Sequence, residues 1–157
     1  MKYLTTVLAL LVLTTFAFGA GTPAPKMPGP KDKCPVCGMF VAKYPDFVSH
    51  LVFKGGTEMF FDGVKDLMKY YFDLAKYNPG KKTGDIAAIY VTDYYTLKLI
   101  DGHQAYYVVG SDVYGPMGRE LIPFGDQKAA QEFLKDHQGK MLLKFSEITP
   151  AVIKTLD

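Results

Sequence analysis

The sequence predicts an α+β fold built from two small strand–strand–helix units, with a short helix at the C-terminus. Strand-like segments occur in pairs, and each set is followed by a segment whose apolar residues recur at helical spacing. Clusters of glycine, asparagine and proline separate these segments and predict turns between them. The 157 residues are 48 % hydrophobic and 14 % aromatic, which is enough apolar material for a packed core.

The first unit is predicted over residues 34–80. Its elements follow in order: a strand over 47–53, a Gly-rich hairpin turn at 54–57, a returning strand over 58–61 and a helix over 64–77. Asp62 stands where the N-cap of this helix is expected. Asn78-Pro79-Gly80 predicts its end.

The second unit is predicted over residues 86–139. Its elements follow in order: strands over 86–92 and 94–99, a two-residue turn at 101–102, a strand over 104–109, an irregular loop over 111–118, a short strand over 120–124, and a helix opened by Gly125-Asp126 and closed by Gly139. Pro123 predicts that its strand lies at an edge or an end, because proline cannot donate to a sheet. Residues 140–157 add a strand and a terminal helix, with Pro150 at its first position.

The N-terminal segment, residues 1–20, has the pattern of a cleavable signal peptide. Lys2 is followed by an uncharged apolar run over 3–18 and then by small residues. A membrane anchor is the alternative, but a span usually needs about 20 apolar residues. Residues 21–33 are expected to form a flexible leader. We expect a periplasmic protein without a stable membrane span in its mature form, and not a lipoprotein, because no cysteine stands at the expected cleavage point.

Charge and motifs argue against nucleic-acid binding and against catalysis. The net charge is only +2, and no basic run with interleaved aromatic residues occurs, so no nucleic-acid partner is expected. We find no Ser/His/Asp set, no carboxylate pair and no phosphate-binding loop, so an enzyme is not expected.

The most informative stretch contains Cys34 and Cys37, the only two cysteines of the chain, and Met39. Thiolate and thioether sulfurs are soft donors that select Cu(I) over hard cations. Gly38 allows a sharp backbone turn, so that both neighbouring sulfurs can face one ion. Met117 lies in an unusual setting between glycines and after a proline. We hypothesise that Met117 folds back onto the cysteine turn and completes a copper site.

A loose repeat of pattern supports that hypothesis. A sulfur-bearing turn, a strand pair and a helix occur around 37–77, and strands, a methionine loop and a helix recur around 96–138. If the two units pack together, the two methionine-bearing turns can face each other across the joint.

Other interpretations of the two cysteines stay open. They supply half of a zinc site, since neither a second C-x-x-C nor paired histidines follow. A thioredoxin-like pair would need a βαβ setting and a helix that begins at the second cysteine. A structural disulfide is compatible with an oxidising compartment, although the loop it closes is very short. His50 or His103 is a candidate for a further metal ligand, although most such histidines have no such role.

Several motifs together resemble the family of NosL, the nitrous oxide reductase accessory protein. They are Cys37-Gly38-Met39, Phe60-Phe61-Asp62-Gly63, Gly115-Pro116-Met117-Gly118 and Glu120-Leu121-Ile122-Pro123-Phe124, in this order. The resemblance covers about residues 34–138. It implies that residues 34–157 form a Cu(I)-binding domain of two ββα units, with Cys37, Met39 and Met117 as ligands. Cys34, which many members lack, is either a fourth ligand or a redox partner of Cys37.

The resemblance also implies a function. The expected protein is a metallochaperone that receives Cu(I) from a copper-supply machinery and delivers it by ligand exchange. The expected acceptor is a periplasmic copper enzyme, with nitrous oxide reductase as the family's target. The alternative is a periplasmic thiol–disulfide oxidoreductase that uses Cys34 and Cys37.

Overall fold

The computed structural model describes residues 21–157, over which the chain forms seven β-strands and four α-helices. In chain order these are β1 (Ser49–Phe53), β2 (Glu58–Phe61), α1 (Val64–Phe72), α2 (Leu74–Tyr77), β3 (Ile86–Thr92), β4 (Leu99–Asp101), β5 (Tyr106–Gly115), β6 (Gly118–Phe124), α3 (Gln127–Asp136), β7 (Met141–Lys144) and α4 (Pro150–Lys154). The predicted α+β class is confirmed. The predicted signal peptide, residues 1–20, lies outside the described residues. Within residues 21–157, no helix combines the length and the apolar character needed to cross a membrane.

The first sheet has the strand order β2-β1-β3-β4, and each neighbouring pair is antiparallel. The β1–β2 hairpin closes at the predicted Gly-rich turn, where Gly56 has a φ of 80°. All five residues of β1 are buried, as expected for a strand with neighbours on both sides. β3 and β4 extend this sheet, although they fall in the second predicted unit. The boundaries of the two units stay a prediction.

The helix predicted over 64–77 is divided into α1 and α2. The break falls at Asp73, whose side chain accepts a hydrogen bond of 3.1 Å from the backbone N–H of Lys76 and caps α2. Aspartate side chains compete for nearby backbone N–H groups in this way, so they favour caps over helix interiors. The end predicted at Asn78 is confirmed, because its N–H bonds to the carbonyl of Leu74.

The prediction that Asp62 caps α1 is wrong. Gly63 occupies the N-cap position and has no side chain that could cap the helix. The capping acceptor comes from another strand instead. Glu120 of β6 accepts a hydrogen bond of 2.5 Å from the backbone N–H of Lys65. A Cβ on Gly63 would lie 2.1 Å from Glu120 Oε2, so the glycine makes room for this carboxyl group. The side chain of Asp62 is therefore available for a different contact.

The strand predicted over 94–99 is also wrong, because this stretch is a turn that leads into the short β4. The carboxylate of Asp93 accepts hydrogen bonds from the backbone N–H groups of Tyr95 (3.1 Å), Thr96 (2.7 Å) and Gly125 (2.6 Å). These bonds hold the tyrosine-rich stretch in a turn despite its strand propensity. Leu97 takes a left-handed conformation there, with a φ of 56°.

The predicted hairpin turn at 101–102 does not join two paired strands. β4 pairs with β3, whereas β5 belongs to the second sheet. The side chain of Asp101 accepts a hydrogen bond of 2.8 Å from the N–H of His103, and its carbonyl accepts from Gln104 and Ala105. The aspartate thus forms a compact turn that carries the chain from one sheet to the other.

The second sheet has the order β6-β5-β7, with antiparallel pairs. The predicted edge position of the strand that contains Pro123 is confirmed. The irregular loop predicted over 111–118 is instead the end of β5 and the start of β6, with a register irregularity between Val109 and Tyr114. Gly115 and Gly118 face each other, so Pro116 and Met117 form the tip of this β5–β6 hairpin.

The predicted starts of the last two helices, α3 and α4, are both confirmed. Asp126 caps α3 by accepting from the N–H of Ala129, and Thr149 caps α4 by accepting from Val152. The end of α3 differs in detail, because Gln138 takes the positive φ of 54° while Gly139 donates to the carbonyl of Leu134 at 2.7 Å. This is the hydrogen bond of a Schellman motif, with glutamine at the left-handed position.

One hydrophobic core joins the two sheets. Leu67 of α1, Tyr107 of β5 and Leu121 of β6 are fully buried in the same cluster. α3 covers the other side of the second sheet, where Phe133 packs on Phe124. Because α1 packs on β6 as well as on its own sheet, the N-terminus of α1 lies beside the start of β6.

Residues 21–33, predicted as a leader, contact the first sheet. The hydroxyl of Tyr90 donates to the carbonyl of Pro23, and the N–H of Lys26 donates to His50 Nδ1 at 3.3 Å. The ammonium of Lys26 also pairs with Glu58 at 2.7 Å.

Candidate metal centre

The cysteine turn is a short backbone loop closed by hydrogen bonds. Lys33 and Phe40 form an antiparallel bridge at its mouth. Inside it, the N–H of Cys34 donates to the carbonyl of Met39, and the N–H of Gly38 donates to the carbonyl of Cys34, both at 2.9 Å. Gly38 has a φ of 79°, a conformation that residues with a Cβ rarely adopt. The sharp turn expected at Gly38 is therefore confirmed.

Two carboxylates from the N-terminus of α1 face the two thiols. Asp62 immediately precedes the helix cap and Asp66 lies in the first turn. Cys37 Sγ donates to Asp62 Oδ1 at 3.2 Å, and Cys34 Sγ donates to Asp66 Oδ2 at 3.4 Å. One potential ligand atom from each of these four residues lies within 4.8 Å of the other three. The cluster can therefore place two sulfur and two oxygen donors around one ion.

Burial favours the protonated form of both thiols. Cys34 is 1 % exposed and Cys37 is half-buried. Burial raises the pKa of the Cys34 thiol far above its usual range, and it raises the pKa of Cys37 to about 11. Contacts with the carboxylate of Asp62 raise the pKa of both thiols further, because a hydrogen bond to a negative group favours the protonated form. A metal that binds here must displace protons.

The sulfurs of Cys34 and Cys37 form no disulfide. A thioredoxin-like pair depends on a lowered cysteine pKa and on a helix that begins at the motif. Here the pKa values are raised, and the motif is followed by an antiparallel bridge and a short 3-10 helix at Val41–Lys43. The geometry therefore favours metal binding over disulfide exchange.

The two candidate methionine ligands belong to different segments of the chain. Met39 belongs to the cysteine turn itself and is half-buried. Met117 is at the tip of the β5–β6 hairpin, and its side chain is 44 % exposed. The carbonyl oxygen of Met117 accepts a hydrogen bond of 2.7 Å from Lys65 Nζ. The hairpin tip is thus attached to the first turn of α1, which contains Asp66 and follows Asp62 in the chain. The assignment of Met39 and Met117 as ligands stays a prediction.

Glu120 and Lys65 hold the hairpin and the helix together. Glu120 is fully buried, and its Oε1 accepts the N–H of Lys65 at 2.5 Å and that of Leu121 at 2.9 Å. Burial raises the pKa of Glu120 to about 8, although these hydrogen bonds and the charge of Lys65 oppose the shift. Lys65 Nζ also donates to the carbonyl of Leu156 at 3.2 Å. The link therefore consists of hydrogen bonds from Lys65 and Leu121 that converge on Glu120 Oε1 and on backbone carbonyls.

The two candidate histidines lie outside the Cys/Asp cluster. His50 is buried in β1, where it stacks on Phe60 with ring centroids 4.5 Å apart. His103 packs against Phe145 at 4.2 Å. Among the described residues, the Cys/Asp cluster includes neither histidine. Their role as further ligands stays a prediction.

Sequence reasoning missed the two aspartates of the cluster. We interpreted Asp62 as a helix cap and assigned no role to Asp66. The only signal is that Asp62 and Asp66 lie on either side of a predicted helix start, close to each other in the chain. That signal becomes informative only once Glu120 is known to cap the helix in place of Asp62.

The arrangement defines a class of protein, namely a small α+β protein with a preformed cysteine–aspartate cluster that can hold a metal ion. The sequence profile of the NosL family matches residues 25–153. The chain therefore belongs to the NosL family.

Individual relatives agree with this assignment. The chain is 30 % identical over 131 residues to the copper-binding lipoprotein NosL of Stutzerimonas stutzeri; the match covers 78 % of this chain and 65 % of the relative. The fold is similar to the crystal structure of the copper chaperone NosL from Shewanella denitrificans, with a TM-score of 0.69 and 27 % identity. That match covers 83 % of this chain and 98 % of the solved one.

Proposed function

We propose that this protein is an exported, periplasmic metallochaperone that holds one Cu(I) ion and passes it to a copper enzyme. The observation that carries the proposal is the convergence of the Cys34 and Cys37 thiols with the N-terminus of α1, to which the Met117 hairpin is attached. A soft sulfur set is the donor chemistry that Cu(I) prefers. Relatives named as copper-binding and as a copper chaperone support the choice of metal.

The proposed ligands are Cys37, Met39 and Met117, with Cys34 as a further thiolate. Copper binding replaces the thiol protons, and Asp62 and Asp66 are placed to accept them because they already accept the S–H hydrogen bonds. The thioethers carry no proton and bind weakly, so they can leave without proton transfer. An incoming donor from the acceptor then replaces them first. For the acceptor we propose nitrous oxide reductase, which is the target that the resemblance implies.

The first test is an anaerobic titration of the reduced protein with Cu(I) in the presence of a chromophoric competitor. We expect one equivalent to bind tightly and Met117→Ala to weaken binding. Met27→Ala is the matched control, because Met27 is also exposed but lies in the N-terminal segment. If Met117→Ala binds copper as tightly as the parent, Met117 is not a ligand.

The pH dependence of the same titration tests Cys34. Each thiol that must lose its proton adds about one unit of log affinity per pH unit below its pKa. We expect a slope near two for the parent and near one for Cys34→Ser, with Met117→Ala retaining the parent slope. Equal slopes for the parent and Cys34→Ser would leave Cys34 outside the copper site.

The competing function, thiol–disulfide exchange, has its own readout. Insulin reduction that depends on both Cys34 and Cys37, together with undiminished copper binding by Met117→Ala, would favour an oxidoreductase. The raised pKa values of both cysteines predict that this activity is absent.

A further inference from the structure

The chain presents apolar and cationic side chains around the exposed side of the metal centre. On the inner side, Cys34, Asp62 and Asp66 are each at most 3 % exposed. Cys37 is half-buried, and Met117, whose carbonyl is bonded to Lys65 next to Asp66 in the chain, is 44 % exposed. An ion that leaves by ligand exchange must therefore leave past Met117 and Cys37, and its acceptor must contact the surface next to them.

That surface has two parts, because the cysteine turn contacts Asp62 and Asp66 while the Met117 hairpin is bonded to Lys65. One part is Phe40, which is 38 % exposed and lies at the mouth of the cysteine turn. The other is the hairpin tip, where Tyr114 is 62 % exposed and lies opposite Arg119. We call Phe40, Tyr114 and Met117 the exit face. Exposed aromatic and methionine side chains are the residue types enriched in the centres of protein interfaces.

Cations surround this apolar centre. Lys33 Nζ lies 4.8 Å and Lys43 Nζ 5.6 Å from the centre of the Phe40 ring, so two ammonium groups are held at one exposed ring. Arg119 adds a third exposed cation at the hairpin. Among the exposed charged residues of segment 31–46, three are lysines and one is an aspartate, Asp46. The carboxylates of the metal centre, Asp62 and Asp66, are buried and face the thiols.

We propose that the exit face is the docking surface for a copper-accepting protein whose own metal entrance is rimmed by acidic side chains. The proposal rests on the proposed function and adds the chemistry of the partner. Carboxylates of the partner pair with Lys33, Lys43 and Arg119, while its apolar centre covers Phe40 and Tyr114. Complementary charge steers encounter and fixes orientation, and so mainly raises the association rate. The sulfurs of Met117 and Cys37 then lie at the centre of the interface.

The test uses two synthetic acceptor peptides that share one Met/His copper-binding segment and differ only in flanking residues. One is flanked by glutamates and the other by lysines. Stopped-flow measurements follow Cu(I) transfer from the loaded protein at low and high salt. We expect the glutamate peptide to accept copper roughly tenfold faster at low salt, with the difference shrinking as salt screens the charges.

Variants locate the effect. The double variant Lys33→Glu and Lys43→Glu should lose the preference for the glutamate peptide. The matched control, Lys128→Glu with Lys135→Glu on α3, makes the same change of net charge away from the exit face and should keep it. Equal rates for the two peptides, or equal effects of the two double variants, would overturn the proposal. Phe40→Ala should slow transfer to both peptides.

A second measurement separates this proposal from the proposed function. Fluorescence anisotropy of the labelled glutamate peptide reports docking to the metal-free protein, and Lys33→Glu with Lys43→Glu should abolish it. If docking occurs but no Cu(I) is bound, the copper-chaperone function fails and the surface stands. If copper binds but the peptide does not dock, the exit face is not an acceptor site. Binding of phosphatidylglycerol vesicles in place of the peptide would assign the cations to a membrane surface and overturn the proposal.

Discussion

Replacing Glu120 tests whether one buried side chain holds the N-terminus of α1 and the β5–β6 hairpin together. Its Oε1 accepts the N–H groups of Lys65 in α1 and Leu121 in β6. Glu120→Ala leaves both buried donors without a partner, and each such donor costs about 1–3 kcal/mol. We therefore expect a loss of about 2–5 kcal/mol in the free energy of unfolding, a large share of the roughly 5–15 kcal/mol typical of a small domain.

Glu120→Gln is the matched control. Its amide oxygen can replace Oε1 as the acceptor, so we expect a cost below about 1 kcal/mol. Urea unfolding monitored by circular dichroism measures both variants. Copper affinity should follow the same order, because only the alanine variant releases the Met117 hairpin from α1. If Glu120→Ala unfolds within about 0.5 kcal/mol of the parent, or if glutamine is as damaging as alanine, the reasoning is refuted.

The pH dependence of Glu120 gives an independent check. Burial raises its pKa to about 8, so the folded state holds a proton that the unfolded state releases near pH 4.5. The stabilising contribution is then complete below that lower value, and it is lost as the pH rises through about 8. Between pH 5 and pH 9, we expect the free energy of unfolding of the parent to fall by about a few kcal/mol relative to that of Glu120→Gln. Parallel pH profiles for the two proteins would contradict the assignment.

Three further predictions concern other parts of the fold. Gly63→Ala places a Cβ 2.1 Å from Glu120 Oε2 and should cost about 1–3 kcal/mol in urea unfolding, whereas Gly84→Ala, with open space around it, should change little. Asp93→Ala removes three hydrogen bonds to backbone N–H groups and should cost about 2–4 kcal/mol. Burial opposes ionisation of Asp93, but these hydrogen bonds outweigh it and lower its pKa. The contribution of Asp93 to the free energy of unfolding is therefore complete above the ordinary aspartate pKa and is lost as the pH falls. An unchanged acid transition in the variant would contradict this. Burial also lowers the pKa of His50 below 6.5, with Glu58 opposing and Lys26 adding to the shift, so stability should fall as the pH drops below that value, and His50→Phe should remove this part of the thermal-unfolding profile.

The elements that sequence reasoning predicted well are determined by nearby residues. β2 and β3 have the predicted bounds, and the α3 and α4 caps use Asp126 and Thr149 as expected. In each case the alternation of side chains or the capping residue acts within a few positions of the chain.

The failures have a common physical cause, because in each a side chain bonds to distant or competing backbone. The stretch over 94–99 has strand propensity, but Asp93 bonds two of its N–H groups and also Gly125, which is 32 residues away. Asp62 has the pattern of a cap, but Glu120 reaches the helix from 55 residues further along the chain. Periodicity and propensity contain no information on such contacts.

The same distinction applies to the metal centre. The cysteine turn is local, so the C-x-x-C spacing and Gly38 were enough to predict it. The thiols meet their partners through tertiary contacts. Asp62 and Asp66 belong to the N-terminus of α1, and its first turn is held by Glu120 of β6. The Met117 hairpin is attached to α1 through Lys65, whereas the predicted meeting of Met117 with the cysteine turn stays a prediction.

Under the proposed function, the difference in burial between Cys34 and Met117 explains how one site can both hold and release an ion. Cys34, at the inner end, cannot exchange its partners with solvent, whereas Met117, at the outer end, is 44 % exposed. Under the proposed function, the ligand that leaves first is neutral and needs no proton, and the ligand that leaves last must recover a proton from beside a buried carboxylate. An acceptor docked on the exit face would therefore meet the weakest ligand first. Removal of copper then becomes progressively harder until the acceptor supplies enough donors of its own, which protects the ion from small competitors in solution.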